Sequence, residues 1–408
     1  MAPTPADAPP GMNRSFLVLQ TIATPFFSRL GVALLERGHR VSKVAFCGGD
    51  LAFWQATPSL AYRGTAEEWP AALARLMAER EVTDLILFGD QRPLHKAALP
   101  VAEARGARVH VFEEAYLRPG WIGLERSGTN SASPLPRDPA EIRARAAGLP
   151  PVEFRDVPAS FLLRASWDVA YSFWSGWMAR SFPHYRSHRL WSPWREYAGW
   201  ALRGLKRPLR RRASVALTRA LRAGPPYWLL PLQLEGDFQL RAHSPYRGMR
   251  EAIAEVFASF ARHAPPEERL AVKGHPLDNG VIGWGRVVAE EAARHGIAGR
   301  VFYLPEAVYG RLLEAAQGVV TVNSTAGLHA VGAGKPVKTL GEAVYDMPGL
   351  TFQGSLDAFW REAGPPDLAL FDAFRRVLAA EAMVRGGYFH PAAIEEAVRN
   401  AIPRLLAP

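Results

Sequence analysis

The chain has 408 residues, of which 48% are apolar and 22% are charged, with one cysteine and a net charge of +10. Since a single hydrophobic core usually stops growing at roughly 250–300 residues, this length predicts two domains. The lone Cys47 excludes an internal disulfide framework and a metal cluster built on cysteine. The first twelve residues do not resemble a signal peptide, and no apolar run approaches the ~18 residues of a membrane span, so we expect a cytoplasmic protein.

Short apolar runs alternate with helical patterns through the first 112 residues. Strands are predicted at 16–21, 41–46, 84–88 and 107–112, with helices over 25–37, 67–80 and 93–105. Strand–helix alternation at this spacing predicts a doubly wound parallel sheet. Residues 134–151, rich in Pro, Ala and Arg, are typical of a connector.

A second alternating series follows a long stretch without strand signals. Residues 152–223 are predicted to be helical, and strands are then predicted near 227–232, 269–272, 300–303, 318–322 and 336–339. A helical region over about 369–406 is predicted to finish the chain. We therefore expect an α/β protein of GT-B-like architecture, in which two Rossmann-like domains face each other across a cleft.

Polar clusters directly follow three of the predicted strands in the second series. They are Gln233–Asp237, Lys273–Pro276 and Asn323–Gly327. Ligands of open α/β sheets bind beyond the carboxyl ends of the strands, so these clusters predict one site for a phosphorylated ligand. Asp237 is placed to act as a nucleophile or a general base, although Asp is also a common turn residue. The polar residues around it, Gln233, Gln239 and His243, predict a polar face turned toward that site.

The other two clusters are suited to binding phosphate. Pro276 restricts the backbone of His275, and Lys273 lies two residues away, so phosphate binding competes with a local hydrogen bond as the role of His275. Ser324 and Thr325 are typical helix N-caps, and a helix N-terminus is also an anion site. We predict neither a zinc site nor an NAD or FAD site, because the metal spacing and the glycine fingerprint are missing.

Polar residues also follow the predicted strands of the first series. They are Asp50, Asp90, Arg92, His95, Glu113, Glu114 and Arg118. Surface salt bridges would explain each residue taken alone. Taken together they predict a polar wall of the cleft, suited to a hydroxylated, acidic substrate.

The helical stretch before residue 223 is basic and rich in tryptophan. It contains Trp191, Trp194, Arg207, Arg210, Arg211 and Arg212. Tryptophan favours the headgroup level of a bilayer, and clustered cations are attracted to anionic lipid. The alternatives are a solvated helix face beside buried tryptophans and a nucleic-acid surface.

Several of these motifs, taken in order, resemble the capsule polysaccharide biosynthesis family, specifically its KpsS/LipB-type retaining β-Kdo glycosyltransferases. The matching sequences are FCGGDLAFW (46–54), DQRPLH (90–95), FEEAYLRP (112–119), QLEGDFQ (233–239), HSP (243–245), VKGHPLD (272–278), VNSTAG (322–327), GKPVKTLG (334–341) and YD (345–346). They extend over most of the chain and are specific in combination.

The resemblance implies transfer of Kdo from CMP-β-Kdo to phosphatidylglycerol or its lyso form, starting the poly-Kdo linker of the capsule. It implies Asp237, Glu114 and His275 as catalytic residues. CMP and phosphate would be bound by Lys273, His275, Pro276, Asn323, Ser324, Thr325 and Gly327, and sugar or acceptor by Asp50, Asp90, Arg92, His95, Glu113, Arg118, Gln233, Gln239 and His243. No metal or other cofactor is expected.

The resemblance also assigns roles to the predicted domains. They are an acceptor-side domain (13–150), a membrane-proximal basic and aromatic segment (151–223), a CMP-sugar-binding domain (224–368) and C-terminal helices packing back across the cleft (369–408). The protein would lie on the inner face of the inner membrane, on anionic lipid, with capsule assembly or export proteins as further partners and no nucleic acid. The alternatives are a non-catalytic GT-B-like scaffold of the export complex and a nucleotide-binding regulator.

Overall fold

Two α/β units make up residues 13–408, which the computed structural model describes. The first unit contains residues up to Leu135, then Pro150–His188 and Arg376–Pro408. The second unit contains Pro136–Leu149 and Arg189–Arg375. The chain therefore crosses from one unit to the other four times. The segment 151–223, expected as one element, is divided at residue 188 because its two long helices pack against different units.

The first unit is built on a sheet of strand order β12-β6-β5-β4-β1-β2-β3. Its strands are β1 (Ser15–Val18), β2 (Arg40–Ala45), β3 (Ser59–Ala61), β4 (Asp84–Phe88), β5 (Arg108–Glu114), β6 (Trp121–Arg126) and β12 (Met383–Arg385). Its helices are α1 (Phe26–Leu35), α2 (Gly48–Ala52), α3 (Trp69–Glu79), α4 (Pro93–Lys96), α5 (Leu99–Ala104), α7 (Phe161–Trp177) and α16 (Pro391–Leu406).

Both faces of this sheet are covered, as the continuous apolar strands predict. Along β1, Phe16 and Val18 belong to the core beneath α1 and α16, whereas Leu17 and Leu19 belong to the core beneath α3 and α5. Strand β4 alternates between the same two cores. The predicted doubly wound sheet is therefore confirmed for the first unit.

Two antiparallel strands extend this sheet beyond the predicted series. Strand β6 pairs antiparallel with β5, and β12 pairs antiparallel with β6. The C-terminal helical region predicted over about 369–406 is present as two helices, which the three-residue strand β12 separates. Beyond β12, α16 packs against α1, where it buries Ile394 and Leu405.

The second unit has a parallel sheet of order β11-β10-β7-β8-β9. Its strands are β7 (Tyr227–Pro231), β8 (Arg269–Lys273), β9 (Val301–Leu304), β10 (Val319–Thr321) and β11 (Val337–Thr339). Its helices are α6 (Pro139–Ala146), α8 (Pro193–Ala223), α9 (Phe238–Ala242), α10 (Met249–His263), α11 (Trp284–Arg294), α12 (Tyr309–Ala315), α13 (Thr325–Gly332) and α14 (Leu356–Glu362), while α15 (Leu368–Glu381) contains the boundary between the units.

The strands of the second unit match the apolar runs seen in the sequence. Leu230 of β7, Val272 of β8 and Val320 of β10 pack with α10, α11 and α14 in one core. The predicted second Rossmann-like sheet is therefore confirmed. None of the helices within residues 13–408 combines the length and the apolar character that crossing a bilayer requires.

Candidate active site

The candidate site lies at the carboxyl edge of the second unit's sheet. Strand β7 pairs with β10 on one side and with β8 on the other, so the loops after these three strands are neighbours. The loop after β7 carries Asp237, the loop after β8 carries His275, and β10 leads into the N-terminus of α13. The three predicted clusters therefore come together at one edge of one sheet.

Asp237 is the N-cap of the short helix α9 and is half-buried. Its Oδ1 accepts a hydrogen bond from the backbone N–H of Gln239 at 2.9 Å. Glu235, the other carboxylate of this loop, accepts a bond from the N–H of Met249 at 2.9 Å and so caps α10. Both carboxylates of this loop therefore cap a helix N-terminus, Asp237 that of α9 and Glu235 that of α10.

Gln233 and Asn323 bond mainly to each other. The Nε2 of Gln233 donates to the Oδ1 of Asn323 at 2.9 Å, and the backbone N–H of Asn323 donates back to the Oε1 of Gln233 at 3.1 Å. The Nδ2 of Asn323 also donates to the carbonyls of Gln239 and His243. These bonds join the ends of β7 and β10 and use much of the hydrogen-bonding capacity of both buried side chains, whose contact with a ligand stays a prediction.

Gln239 and His243 lie on either side of that pair. The Oε1 of Gln239 is buried and accepts no hydrogen bond within the described residues 13–408, which leaves an acceptor for a ligand hydroxyl. The ring of His243 is buried, and its carbonyl accepts the N–H of Glu342 at 2.8 Å as well as the amide of Asn323. His243 therefore contributes to the frame of the site.

The loop after β8 holds His275 in one tautomer when the ring is neutral. The Nδ1 of His275 accepts the N–H of Leu277 at 3.0 Å, so the ring proton is on Nε2. Pro276, the next residue, is exposed, and its carbonyl accepts a bond from Arg203 at 3.0 Å. A half-buried imidazole that presents an N–H is a suitable donor to a phosphate oxygen.

Lys273 lies at the end of β8 and is buried, which the sequence did not reveal. Its Nζ donates to the carbonyl of Gly274 at 2.6 Å. Burial lowers its pKa to about 8, while the Glu306 carboxylate opposes that shift and Arg203 adds to it. Lys273 therefore remains mostly cationic at pH 7 and supplies positive charge at the start of the His275 loop.

The N-terminus of α13 is formed as predicted. The Oγ of Ser324 caps the helix by accepting the N–H of Ala326 at 3.1 Å, and Thr325 is the first helical residue. Gly327 has a packing role, since a Cβ there would collide with the hydroxyl of Tyr345. That hydroxyl donates to the carbonyl of Ser324 at 2.6 Å, which fixes the turn. Gly327 therefore brings the helix close to Tyr345, and its contact with CMP stays a prediction.

Helix α8 has two different faces. Arg203 is buried against the loop of His275, whereas Leu205 is 78% exposed on the opposite side. Trp194, at the start of the helix, is 75% exposed, and Trp191 stacks against Arg195 at 4.3 Å. A groove of about 610 Å³ runs along the helix, lined by Gly204, Arg207, Pro208, Arg211, Arg212, Val215, Ala216 and Arg219.

The basic residues of α8 are therefore not one uniform surface. Arg207 lies 3.8 Å from the Oε2 of Glu306. Arg210 is half-buried, and its charge, like that of Arg203, opposes the rise in the pKa of Asp278 that burial causes. Arg211 and Arg212 are exposed. Only part of the predicted basic surface is thus turned to solvent.

The polar residues of the first unit are arranged differently, and Asp50 is the clearest example. Its Oδ2 accepts the backbone N–H of Phe46, and its Oδ1 accepts the hydroxyl of Tyr171, both at 2.9 Å. Tyr171 lies on α7, which approaches α2 so closely that a Cβ at Gly49 would lie 2.7 Å from the ring of Tyr171. Asp50 is therefore buried, and the expectation that it lies on an open wall is corrected.

Asp90, Arg92 and His95 are buried as well. Asp90 accepts the N–H of Thr129 at 3.1 Å, and Arg92 donates to the carbonyl of Thr21 at 3.2 Å. The Nδ1 of His95 lies 2.6 Å from the carbonyl of Gly89, and burial lowers the pKa of the ring to about 3, so His95 is neutral. None of the three forms the exposed wall that the sequence predicted.

Glu114 and Arg118, by contrast, are partly open. The Oε2 of Glu114 is 3.8 Å from Arg118, and its Oε1 is 3.5 Å from Arg164 of α7. Neighbouring Glu113 accepts the backbone N–H of Glu114 at 3.0 Å. The acidic and basic pair predicted from the sequence is therefore present, and the structure adds Arg164, which no local sequence pattern marks.

Known proteins are similar to this chain over most of its length. The family described as capsule polysaccharide biosynthesis protein matches residues 83–389. The capsule polysaccharide export protein KpsS of Escherichia coli is 36% identical over 385 residues, covering 92% of this chain and 97% of that protein. The capsule polysaccharide modification protein LipB of Neisseria meningitidis serogroup A is 31% identical over 383 residues, covering 92% and 91%.

Among solved structures, the β-Kdo 2,7 transferase KpsC of Thermosulfurimonas dismutans matches 96% of this chain and 99% of its own, with 15% identity and a TM-score of 0.46. The family match spans strands of both units and includes the loops of Asp237, His275 and Ser324. The alignments cover nearly the whole length of KpsS and LipB. The chain therefore belongs to the capsule polysaccharide biosynthesis protein family.

Proposed function

We propose that this protein is a retaining, GT-B-like glycosyltransferase that moves Kdo from CMP-β-Kdo to phosphatidylglycerol or lysophosphatidylglycerol, starting the poly-Kdo linker of a capsule. The observation that carries the proposal is the convergence of Asp237, His275 and the N-terminus of α13 at one edge of one sheet. The donor and the acceptor are those implied by the resemblance to the KpsS/LipB-type transferases.

The donor phosphate is proposed to bind between His275 and α13. The Nε2–H of His275 would donate to a phosphate oxygen, and Lys273 would add positive charge. The capped N-terminus of α13, with Ser324 and Thr325, would present backbone N–H groups to the same anion. These groups stabilise the negative charge that grows on CMP as it leaves.

Asp237 is proposed to act as the nucleophile. Its carboxylate attacks the anomeric carbon of Kdo, the bond from that carbon to the phosphate oxygen breaks, and CMP departs with the electron pair. The lipid hydroxyl then attacks the same carbon, loses its proton and releases Asp237. Two inversions give net retention. Glu114, held by Arg118 and Arg164, is proposed as a second catalytic carboxylate, on the acceptor side.

Each unit has its own candidate for contact with lipid, which is the exposed face of α7 in the first unit and that of α8 in the second. Phe173 and Trp177 of α7 stack at 6.0 Å, and Trp177 is 73% exposed. Leu205 and Leu209 form an exposed ridge on α8 beside Arg212, and Arg211 is exposed on another side of the same helix. A basic helix with an exposed apolar ridge is typical of elements that lie in a membrane interface. We place the protein on the inner face of the inner membrane, as a peripheral protein.

A product assay tests the proposal. Purified protein is incubated with CMP-Kdo and vesicles that contain phosphatidylglycerol or lysophosphatidylglycerol. The buffer contains EDTA, because no metal is proposed. The mass of the lipid is then measured by mass spectrometry. We expect a mass increase of one or more Kdo residues that needs both substrates. Incubation with CMP-Kdo alone should give a Kdo adduct on Asp237. Absence of any lipid product would reject the transferase and favour a non-catalytic scaffold of the capsule export assembly.

A further inference from the structure

Arg203 is a buried arginine on a helix whose other basic residues are mostly exposed. It is 7% exposed, whereas most of the neighbouring arginines of α8 face solvent. A charged side chain enters the interior only where partners replace its hydration. The partners of Arg203 therefore show what this buried charge does.

The guanidinium of Arg203 has two kinds of hydrogen-bond partner and also lies 5.3 Å from the centre of the Trp200 ring. Its Nε donates to the Oε1 of Glu306 at 2.9 Å, which neutralises the charge. Its Nη1 donates to the carbonyl of Pro276 at 3.0 Å and also to the carbonyl of Asp278. Both carbonyls belong to the loop of His275, so one side chain fastens two points of that loop to α8.

The His275 loop is a tight turn, so holding its backbone at Pro276 and Asp278 also orients the imidazole. The N–H of Asp278 donates to the carbonyl of His275 at 3.1 Å, and the N–H of Leu277 donates to its Nδ1 at 3.0 Å. The ring therefore depends on the backbone of residues 276–278 for its orientation. That is the same backbone that Arg203 holds.

Glu306 completes the arrangement from the neighbouring strand. It follows β9, which pairs with β8, and its backbone N–H donates to the Oγ of Ser214 on α8 at 3.3 Å. Its side chain is almost fully buried. Glu306 thus holds Arg203 in place from the sheet, and the pair closes a connection between α8, β9 and the loop.

We propose that Arg203, fixed by Glu306, is a positioning residue that holds the His275 loop in the conformation that binds the donor phosphate. The inference rests on the function proposed above. It assigns α8 a role in donor binding in addition to its exposed basic face. Arg203 itself need not touch the donor.

Arg203→Lys separates positioning from mere stability. A lysine keeps the charge that neutralises Glu306, but one ammonium cannot replace the planar fork that reaches Glu306 and two carbonyls at once. We expect a thermal midpoint close to wild type, faster hydrogen–deuterium exchange in residues 273–281 without ligand, and CMP binding weakened about 10-fold to 100-fold by calorimetry. Arg222→Lys is the matched control, because Arg222 lies on the same helix and pairs with Glu314 at 3.0 Å.

A double variant tests whether the effect passes through His275. If it does, adding His275→Ala to Arg203→Lys should cost much less CMP affinity than His275→Ala costs in the wild type. Unchanged loop exchange, or loosened exchange with unchanged CMP affinity, would overturn the proposal. If the wild-type protein binds no CMP, the proposed function fails, and loop exchange alone decides whether Arg203 holds the loop.

Discussion

The carboxyl edges of the two sheets carry similar polar residues but use them differently. In the first unit, Asp50 is buried beneath α7, where its carboxylate accepts a hydrogen bond from Tyr171. In the second unit, Asp237 and His275 are half-buried in loops whose backbones are held by other residues. The polar residues that follow β2 and β4 in the first unit are thus closed off, whereas those that follow β7 and β8 in the second unit lie at a more accessible edge.

The difference shows that a polar residue after a strand is a weak indicator of a ligand site. What separates the two edges is whether neighbouring groups use up the hydrogen-bonding capacity of the side chain. Gln233 and Asn323 of the second unit are an example, because each residue uses hydrogen-bonding groups of the other. Substitutions should therefore affect activity at the open edge and stability at the closed one.

The largest effect is expected from Asp237→Asn. If Asp237 is the nucleophile, turnover should fall at least about 1,000-fold, because an amide cannot attack the anomeric carbon. Stability should change by less than about 0.5 kcal/mol, because Asn is as good an N-cap as Asp. Turnover is measured by the lipid product assay and stability by thermal unfolding.

Asp138→Asn is the control for that experiment. Asp138 caps α6 in the same unit by accepting the N–H of Glu141 at 2.9 Å, the same kind of bond that Asp237 makes. It should leave turnover unchanged. Retention of more than a tenth of wild-type turnover in Asp237→Asn would remove the nucleophile from the mechanism.

At the closed edge, Asp50→Ala should lower stability and leave the chemistry intact. It removes the acceptor of the Phe46 N–H and one of the partners of the Tyr171 hydroxyl, which also contacts Gln20 and Cys47, and this should cost about 1–3 kcal/mol of unfolding free energy. Turnover per folded molecule should stay within about 3-fold of wild type. Urea unfolding measures stability and the product assay measures turnover. A loss of turnover without a loss of stability would mean that Asp50 acts in the chemistry rather than in the fold.

The pH dependence of donor binding should come from the open edge. The pKa of Lys273 is lowered to about 8, so its charge fades as the pH rises through 8, and the KM for CMP-Kdo should rise several-fold between pH 7 and 9. The free energy of unfolding should increase over the same pH range. Because the unfolded pKa is higher, about 10.4, the unfolded chain binds the extra proton, and the unfolding free energy from this group rises with pH from about 8 upward.

Two lysine variants separate these effects. Lys273→Arg keeps its charge at every accessible pH, so the KM should no longer rise. Lys43 of the first unit is also buried, with its pKa lowered to about 8. Lys43→Met should keep the rise in KM while reducing the gain in stability at alkaline pH. A flat KM profile in the wild type would exclude Lys273 from donor binding.

The smallest effect is expected at the exposed face of α8. Neutralising Arg211 and Arg212 together to Gln should weaken binding to vesicles of anionic lipid about 30-fold at low salt, because each cation contributes about 1 kcal/mol. The difference should shrink as salt is added. Flotation or sedimentation of vesicles measures it.

A pair on other helices controls for net charge. Arg262 on α10 and Arg286 on α11, both changed to Gln, alter the charge by the same amount away from the leucine ridge. This pair should bind vesicles like wild type. Equal losses in both double variants would mean that overall charge, rather than the face of α8, attracts the lipid.

The sequence predicted the sheets well because buried parallel strands are continuous apolar runs. Strands β7 and β8 begin and end within a residue or so of the predicted limits. Strand β12 was missed because three residues carry too little pattern. The apolar run determines a strand locally, but the pairing of so short a strand depends on β6, far away in the chain.

The site was predicted in its location but only partly in its contacts. Asp237, His275 and the cap at Ser324 follow from their position after strands. The burial of Asp50 depends on Tyr171, 121 residues later, and Arg203 meets Glu306 across 103 residues. No local spacing encodes such pairs, because they form only when helices α7 and α8 pack against their sheets.

The return of the chain to the first unit has a practical consequence for dissecting this protein. Residues 376–408 supply β12 at the edge of that sheet and α16 against α1, so no single cut separates the units into uninterrupted halves. A fragment ending at residue 188 would bare Leu30 and Leu34 to water and is expected to aggregate. Isolating this half calls for a fusion in which short linkers replace residues 136–149 and 189–375.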